Sequence, residues 1–418
     1  RNVRVIEEAL SCQLEGSFNC DSDVLNRING ICVRTLQLCS EDTFVDCPTY
    51  EQTFWVGDAR NEALINYAVS GDWNFVRRCW MLASESLSHG SLVNSQVPSG
   101  WHTIIPAWSF LWQIACLEHF EYTGDDSFLK AIYPAVRRQT ENALERVNSD
   151  GLFEIEAWNL SDWSDMDQPG RGIVSASQGW LVWALRASAR IAELLGKSQD
   201  ANSDRRAIDR ICHSVNDTLW DERRQAFIDC MHFDGARSEK VSAQTQCILS
   251  LASVPSKERQ FSLDRIITGE ETRAVIQPGT PFFLFFVMEY LEKIGDFARI
   301  YKLIEEKWGL MVQNSATTCW ELFPGFMPGG RWTRSHCHAW SAGPAYFLSR
   351  ITLGIVRTGT AHSKILFRPV PNGIRKCSGT VPTVHGNIEI DWSYESGNFQ
   401  YELRTPKGCE VQVDLSRV

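Results

Sequence analysis

The chain has 418 residues, 44% hydrophobic and 22% charged, with a formal net charge of −10, a composition that excludes a disordered or fibrous protein. Its longest apolar run, Phe282 to Met288, falls far short of the ~20 residues that span a bilayer. The negative charge is spread without basic runs, which argues against nucleic acid as a partner.

Residues 1–20 read as extended and turn-rich, with Gly16-Ser17-Phe18 leading into Asp21, and are expected to be the tail of an upstream β domain. The opening Arg1-Asn2-Val3-Arg4 carries neither a signal peptide nor an initiator Met, as in a chain cut or processed from something longer. At Asp21 the pattern changes. Val24, Leu25, Ile28, Ile31, Cys32, Thr35, Leu36 and Cys39 recur at three and four, one face of an amphipathic helix capped by Asp21 or Ser22.

The same periodicity predicts helices at 59–70, 73–88, 107–123, 126–147, 175–195, 199–219, 239–251, 259–267, 281–294, 297–310 and 338–352, several closed by glycine. Long loops rich in Gly, Pro, Asp and Trp separate many of them: 96–106, 157–175 and 321–335. Helices in sequential hairpins, with long loops on one side, can close into a ring that opens a loop-lined pit at one end. No fixed-period repeat is visible, so a solenoid is not expected. After Gly354 the texture becomes alternating. Residues 364–369, 388–394, 399–403 and 411–415 read as antiparallel strands, turned at Ser396-Gly397-Asn398 and Pro406-Lys407-Gly408. The expected domains are therefore 21–353 and 354–418.

Fourteen cysteines are spread through the chain, several on apolar helical faces, and read mainly as reduced, buried, small hydrophobes, with room for a disulfide or two. Most of the sixteen Trp are expected in the core, although Trp is also the side chain that best stacks on the apolar face of a sugar ring. Asn159-Leu160-Ser161 and Asn216-Asp217-Thr218 match glycosylation sequons, a pattern too common to place the protein in a compartment.

The stretch from Asp46 to Glu62 sets Asp46, Glu51 and Asp58 among Tyr50, Phe54 and Trp55, on a loop that begins at Cys47-Pro48. Carboxyls in such a loop can differ in desolvation, so that one holds a proton near neutral pH while another stays ionised, which suits acid/base chemistry. Asp46 and Asp58 could equally cap turns and helices. His336-Cys337-His338 offers zinc-ligand types, but no second cluster completes a four-ligand site, so no metal or cofactor is expected. Ala339-Trp340-Ser341-Ala342-Gly343 has Ala where a serine-hydrolase elbow needs its first Gly.

Asp46-Cys47-Pro48 through Glu51 to Trp55-Val56-Gly57-Asp58-Ala59 resembles the signature loop of the α-L-rhamnosidases of glycoside hydrolase family 78. Cys319-Trp320-Glu321 with His336-Cys337-His338-Ala339-Trp340 resembles the other half of that family's site. The resemblance implies a mainly α protein, a six-hairpin (α/α)6 barrel with a small C-terminal antiparallel β-sandwich, and a carbohydrate substrate hydrolysed with inversion. It further implies Glu51 as general acid and Glu321 as general base, with Asp46 and Asp58 as ionised partners. Tyr50, Trp55, His338, Asp162 and Trp163 are then sugar-contacting residues. Trp101, His102 and Trp108, on a third loop, read from the sequence as walls or as ordinary barrel packing. Trp340 reads as wall or core. This sequence departs from the commoner motif, in which Arg stands where Tyr50 is; that is expected to remove a fixed cation near the acid. A same-fold hydrolase of another deoxy or uronic sugar, or a non-catalytic carbohydrate-binding protein, are the alternative readings. Oligomeric state and compartment are not legible.

Overall fold

A computed structural model describes residues 3–4, 10, 14–271, 274–324 and 332–418. Most of the segment before Leu14 and the middle of the expected 321–335 loop lie outside the described residues. The described elements run β1 (Ser17–Cys20), α1 (Asp23–Leu38), α2 (Val56–Val69), α3 (Trp73–Glu85), α4 (Pro106–Thr123), α5 (Asp126–Leu144), β2 (Gly172–Val174), α6 (Ser175–Leu194) and α7 (Ser198–Thr218). There follow β3 (Trp220–Asp221), β4 (Ala226–Phe227), β5 (Cys230–His232), α8 (Ala243–Leu251), α9 (Lys257–Ile267), α10 (Pro281–Ile294), α11 (Phe297–Leu303), α12 (Gly309–Gln313) and α13 (Pro344–Ile351). The chain ends in β6 (Ile355–Arg357), β7 (Lys364–Phe367), β8 (Lys376–Val381), β9 (Ile388–Glu395), β10 (Asn398–Arg404) and β11 (Glu410–Val413).

These elements divide between two compact units, Arg1–Trp55 with Asn61–Cys79 and Tyr301–Val418, and Val56–Arg60 with Trp80–Ile300. In the second unit, helices pair through the capping chemistry the sequence announces. Gly124, left-handed at φ 67°, ends α4, and Asp125 then caps α5 by accepting from the N–H groups of Ser127 and Phe128. Trp80, Trp112 and Trp180 are fully buried. Within this apolar setting Arg60 is itself buried and donates to both Glu118 and Glu289, and the two carboxylates hold its guanidinium charged against the cost of burial. Removing either partner would leave a buried charge uncompensated, the costly way to break such a group.

In the first unit, α1 buries the stripe Leu25, Ile28, Ile31, Cys32, Thr35 and Leu36, with Ser22 accepting from the N–H of Leu25 as its cap. Cys32 and Cys39 on that stripe face Cys319 and Cys337, with sulfurs 3.6 and 4.0 Å apart, and every described cysteine is a free thiol. The strands form one sheet ordered β1-β8-β9-β10 and another ordered β11-β7-β6. β1 was expected in a separate upstream domain, yet it pairs antiparallel with β8, Ser17 opposite Thr380 and Cys20 opposite Cys377. β11 runs parallel to β7, a departure from the all-antiparallel expectation that is allowed because β8, β9 and β10 together form the long crossover a parallel pair needs. Trp392 of β9 is buried and donates its indole N–H to the carbonyl of Thr352 at 2.9 Å.

The expected helix over 338–352 is much shorter. Pro344 has no N–H to give to an earlier turn and is favoured as a first helical residue, so α13 starts there and Ala339–Ser341 forms a separate 3-10 turn.

Candidate active site

In the first unit the 46–55 loop is held by its own side chains. Thr53 N–H donates to Asp46 Oδ1 at 2.9 Å, and Glu51 N–H donates to the Cys47 sulfur at 3.2 Å. The Glu51 carboxylate accepts from the Trp55 indole N–H at 2.7 Å and is paired with Arg334. Arg334 also lies 3.9 Å from Glu321 Oε1 and stands over the Tyr50 ring at 4.8 Å. One guanidinium thus reaches both predicted catalytic carboxyls. The expected loss of a cation at Tyr50 is corrected here: the charge comes from a distant segment, and Tyr50, 58% exposed, supplies a ring face for it to stand on.

Glu321 sits in a dry setting. It is 4% exposed, and burial raises its carboxyl to about 7, against the Ser335 N–H that donates to Oε2 at 3.0 Å and pulls it down, with the Asp46 charge adding to the rise. Trp340 is buried, donates its indole N–H to the Glu321 carbonyl at 2.9 Å and lies tilted against the His338 ring, centroids 4.3 Å apart. His338 is buried, and desolvation, with the Arg334 charge, keeps its imidazole well below the usual value and so neutral. Its Nε2 is 3.6 Å from Asp46 Oδ2, while its Nδ1 and that Oδ2 have no hydrogen-bond partner among the described residues. Two buried polar atoms in one cluster are thus left to a partner from outside the described residues. Burial pushes the Asp46 carboxyl up, against the Cys47 thiol and the Thr53 N–H that pull it down.

His336, Cys337 and His338 do not converge: His336 is exposed against the Trp320 ring, Cys337 faces Cys39, and His338 faces Asp46. Ser341 is buried in the 3-10 turn with its hydroxyl donating to the Trp320 carbonyl at 2.6 Å, so it is no exposed nucleophile.

In the second unit, Asp58 Oδ1 accepts from the Trp108 indole N–H at 3.0 Å, and both residues are buried. Gly57 permits that approach, because a β-carbon there would lie 2.4 Å from the Trp108 ring. Gly57→Ala is therefore expected to cost about 1–3 kcal/mol through overpacking. An unchanged urea midpoint at constant slope would show that the ring moves aside freely. Asp162 is saturated: Gly279 N–H, Gln244 Nε2 and Thr280 Oγ1 all donate to it within 2.8 Å, fixing the start of α10. Burial still raises it to about 6. Trp163, 38% exposed, extends an aromatic run with Trp158 and Trp101, itself 55% exposed.

Arg334 was not marked in the sequence, since nothing in the spacing of a Gly- and Pro-rich loop says where it points. The family described as bacterial alpha-L-rhamnosidase 6 hairpin glycosidase domain matches residues 13–352, and the corresponding C-terminal domain matches residues 354–417. An α-L-rhamnosidase of Formosa agariphila is 23% identical over 99% of this chain and 45% of its own length. The solved GH78 family rhamnosidase of Bacillus sp. GL1 is 39% identical, with a TM-score of 0.94 over 97% of this chain and 43% of its own. A Klebsiella oxytoca rhamnosidase solved with rhamnose bound is similar in fold, with a TM-score of 0.69 at 24% identity, covering 82% of this chain and 65% of its own. The chain spans less than half the length of the first two.

Proposed function

Since this chain belongs to the bacterial α-L-rhamnosidase six-hairpin glycosidase family, we propose that it is an inverting α-L-rhamnosidase with Glu51 as general acid and Glu321 as general base. Its fold is the six-hairpin glycosidase fold with a C-terminal β domain. The observation that supports the reading is Arg334, a single guanidinium in reach of both carboxyls in one unit. Inversion needs a proton for the departing oxygen and a second carboxylate to activate water on the opposite face, about 6.5–9.5 Å away. A cation in reach of both carboxyls offsets their mutual repulsion.

Glu321, buried and held near neutrality, has the basicity to take a proton from water while remaining ionised in part at working pH. Glu51 is more open, and its contact with Trp55 fixes its direction. Neutral His338 and the unpartnered Asp46 Oδ2 offer a donor or acceptor pair for sugar hydroxyls once substrate opens the cluster. Trp163 presents a ring face of the kind that stacks on a sugar.

The test is hydrolysis of p-nitrophenyl α-L-rhamnoside with the first-formed anomer followed by NMR. Release of β-rhamnose is expected. First-formed α-rhamnose would overturn the water mechanism, and binding of rhamnose without turnover would make the protein a carbohydrate-binding module.

A second reading has its own support. A carboxyl held up to about 7 is also a competent proton donor, and a carboxylate facing a guanidinium a competent base, so Glu321 as acid and Glu51 as base is the exchanged assignment.

A further inference from the structure

A second cluster of reactive side chains lies wholly within the second unit, away from these carboxyls in sequence. β5 places Cys230 and His232 two residues apart, hence on one side of the strand. Facing them, Asp167 ends the acidic, aromatic loop that carries Trp163. Asp167 Oδ2 lies 2.9 Å from His232 Nε2, and the Cys230 sulfur lies 3.7 Å from that same nitrogen. All three donor atoms fall within 4.8 Å of one another. From this convergence we propose that Asp167, Cys230 and His232 bind a zinc ion, with one position left open to water.

Zinc takes sulfur, nitrogen and oxygen ligands tetrahedrally at about 2.0–2.3 Å, which sets neighbouring donor atoms roughly 3.3–3.8 Å apart. The sulfur to nitrogen distance is already in that range, and the oxygen to nitrogen distance needs a small outward movement. A thiolate and an imidazole exclude calcium and magnesium as the preferred ions, since those take oxygen ligands.

The donors also have the supporting contacts that a metal site requires. Ser238 Oγ donates to Asp167 Oδ2 at 2.7 Å, and Asp167 N–H donates to Asp229 Oδ2 at 3.1 Å. Asp229 Oδ1 is fixed in turn by the N–H and hydroxyl of Ser242 and by the Thr245 hydroxyl. Cys230 is buried, while the His232 and Asp167 side chains are 38% and 23% exposed and leave an entry path. On binding, the Cys230 S–H bond gives way to a sulfur–zinc bond and its proton leaves to solvent. The hydrogen bond between His232 and Asp167 is replaced by one metal bond to each. The ion then ties the end of the Trp163 loop to β5.

The experiment uses the whole chain, dialysed against chelator and titrated with cobalt(II). One equivalent is expected to produce tetrahedral d–d bands and a thiolate-to-cobalt charge-transfer band, both bleached by zinc. Cys230→Ser is expected to lose the charge-transfer band and Cys337→Ser to keep it. Absence of the bands in the wild type, or their persistence in Cys230→Ser, overturns the proposal. Should Cys230→Ser fail to fold by circular dichroism, Asp167→Asn decides: about a 10–100-fold weaker cobalt affinity is expected, and an unchanged affinity overturns the site.

Discussion

Glu321→Gln is expected to lower kcat by about 10²–10⁴-fold on every α-L-rhamnoside tested, whatever the leaving group, because the amide cannot take a proton from water. The pH profile carries the sharper information. A base must be ionised in the free enzyme, so with its carboxyl held up to about 7 by burial, wild-type kcat/KM should fall as the pH drops below about 7. That acid limb should vanish from the residual activity of the variant. A fall on the alkaline side of 7 instead would mean that Glu321 gives a proton, which is the exchanged assignment.

Stability should move the other way. In the folded protein this carboxyl binds its proton more tightly than the unfolded chain does, at about 7 against 4.5, so its ionisation opposes folding. The opposition is absent below about pH 4.5, grows between 4.5 and 7, and reaches roughly 3 kcal/mol above that. Glu321→Gln removes it. The variant should therefore exceed the wild type in unfolding free energy at pH 8 and lose that advantage by pH 4.5, as urea melts at the two values would show. A difference independent of pH would mean that the carboxyl is not desolvated in solution.

How much of this could be read from the chain depends on the range of the interaction. The helices were legible because apolar spacing and caps such as Gly124 and Asp125 act within a few residues. The helix over 338–352 was overdrawn where an apolar pattern outweighed Pro344. β8 escaped notice because Lys376-Cys377-Ser378-Gly379-Thr380-Val381 barely alternates, and its place is set by pairing with β1 and β9. Among candidate site residues, Glu51 and Glu321 were singled out through resemblance, and one unit contains both. Asp162 shows what spacing cannot report: its carboxylate accepts from Gly279 and Thr280 at the start of α10, more than a hundred residues on. Arg334 meets Glu51, and Asp167 meets Cys230 and His232, through tertiary folding alone, which no spacing rule reports.

Glu51→Gln should discriminate between substrates. A general acid matters in proportion to how badly the leaving oxygen needs a proton. p-Nitrophenolate departs readily without one, so the loss on p-nitrophenyl α-L-rhamnoside should sit at the low end, about 10²-fold or less. An alkyl α-L-rhamnoside departs as an alkoxide unless protonated, and there the loss should reach about 10⁴-fold. The amide keeps an oxygen to accept from Trp55, so the loop need not rearrange. It does remove the negative partner of Arg334, leaving that guanidinium to Glu321 at 3.9 Å and to the Tyr50 ring. Strengthening of that remaining contact would pull the Glu321 carboxyl down from about 7 and shift the acid limb of the profile to lower pH. Two readouts from one variant then bear on separate points. A loss that is equal across leaving groups transfers the role of acid away from Glu51. An acid limb that stays in place while the leaving-group dependence appears would keep Glu51 as acid and show that Arg334 does not couple the two carboxyls.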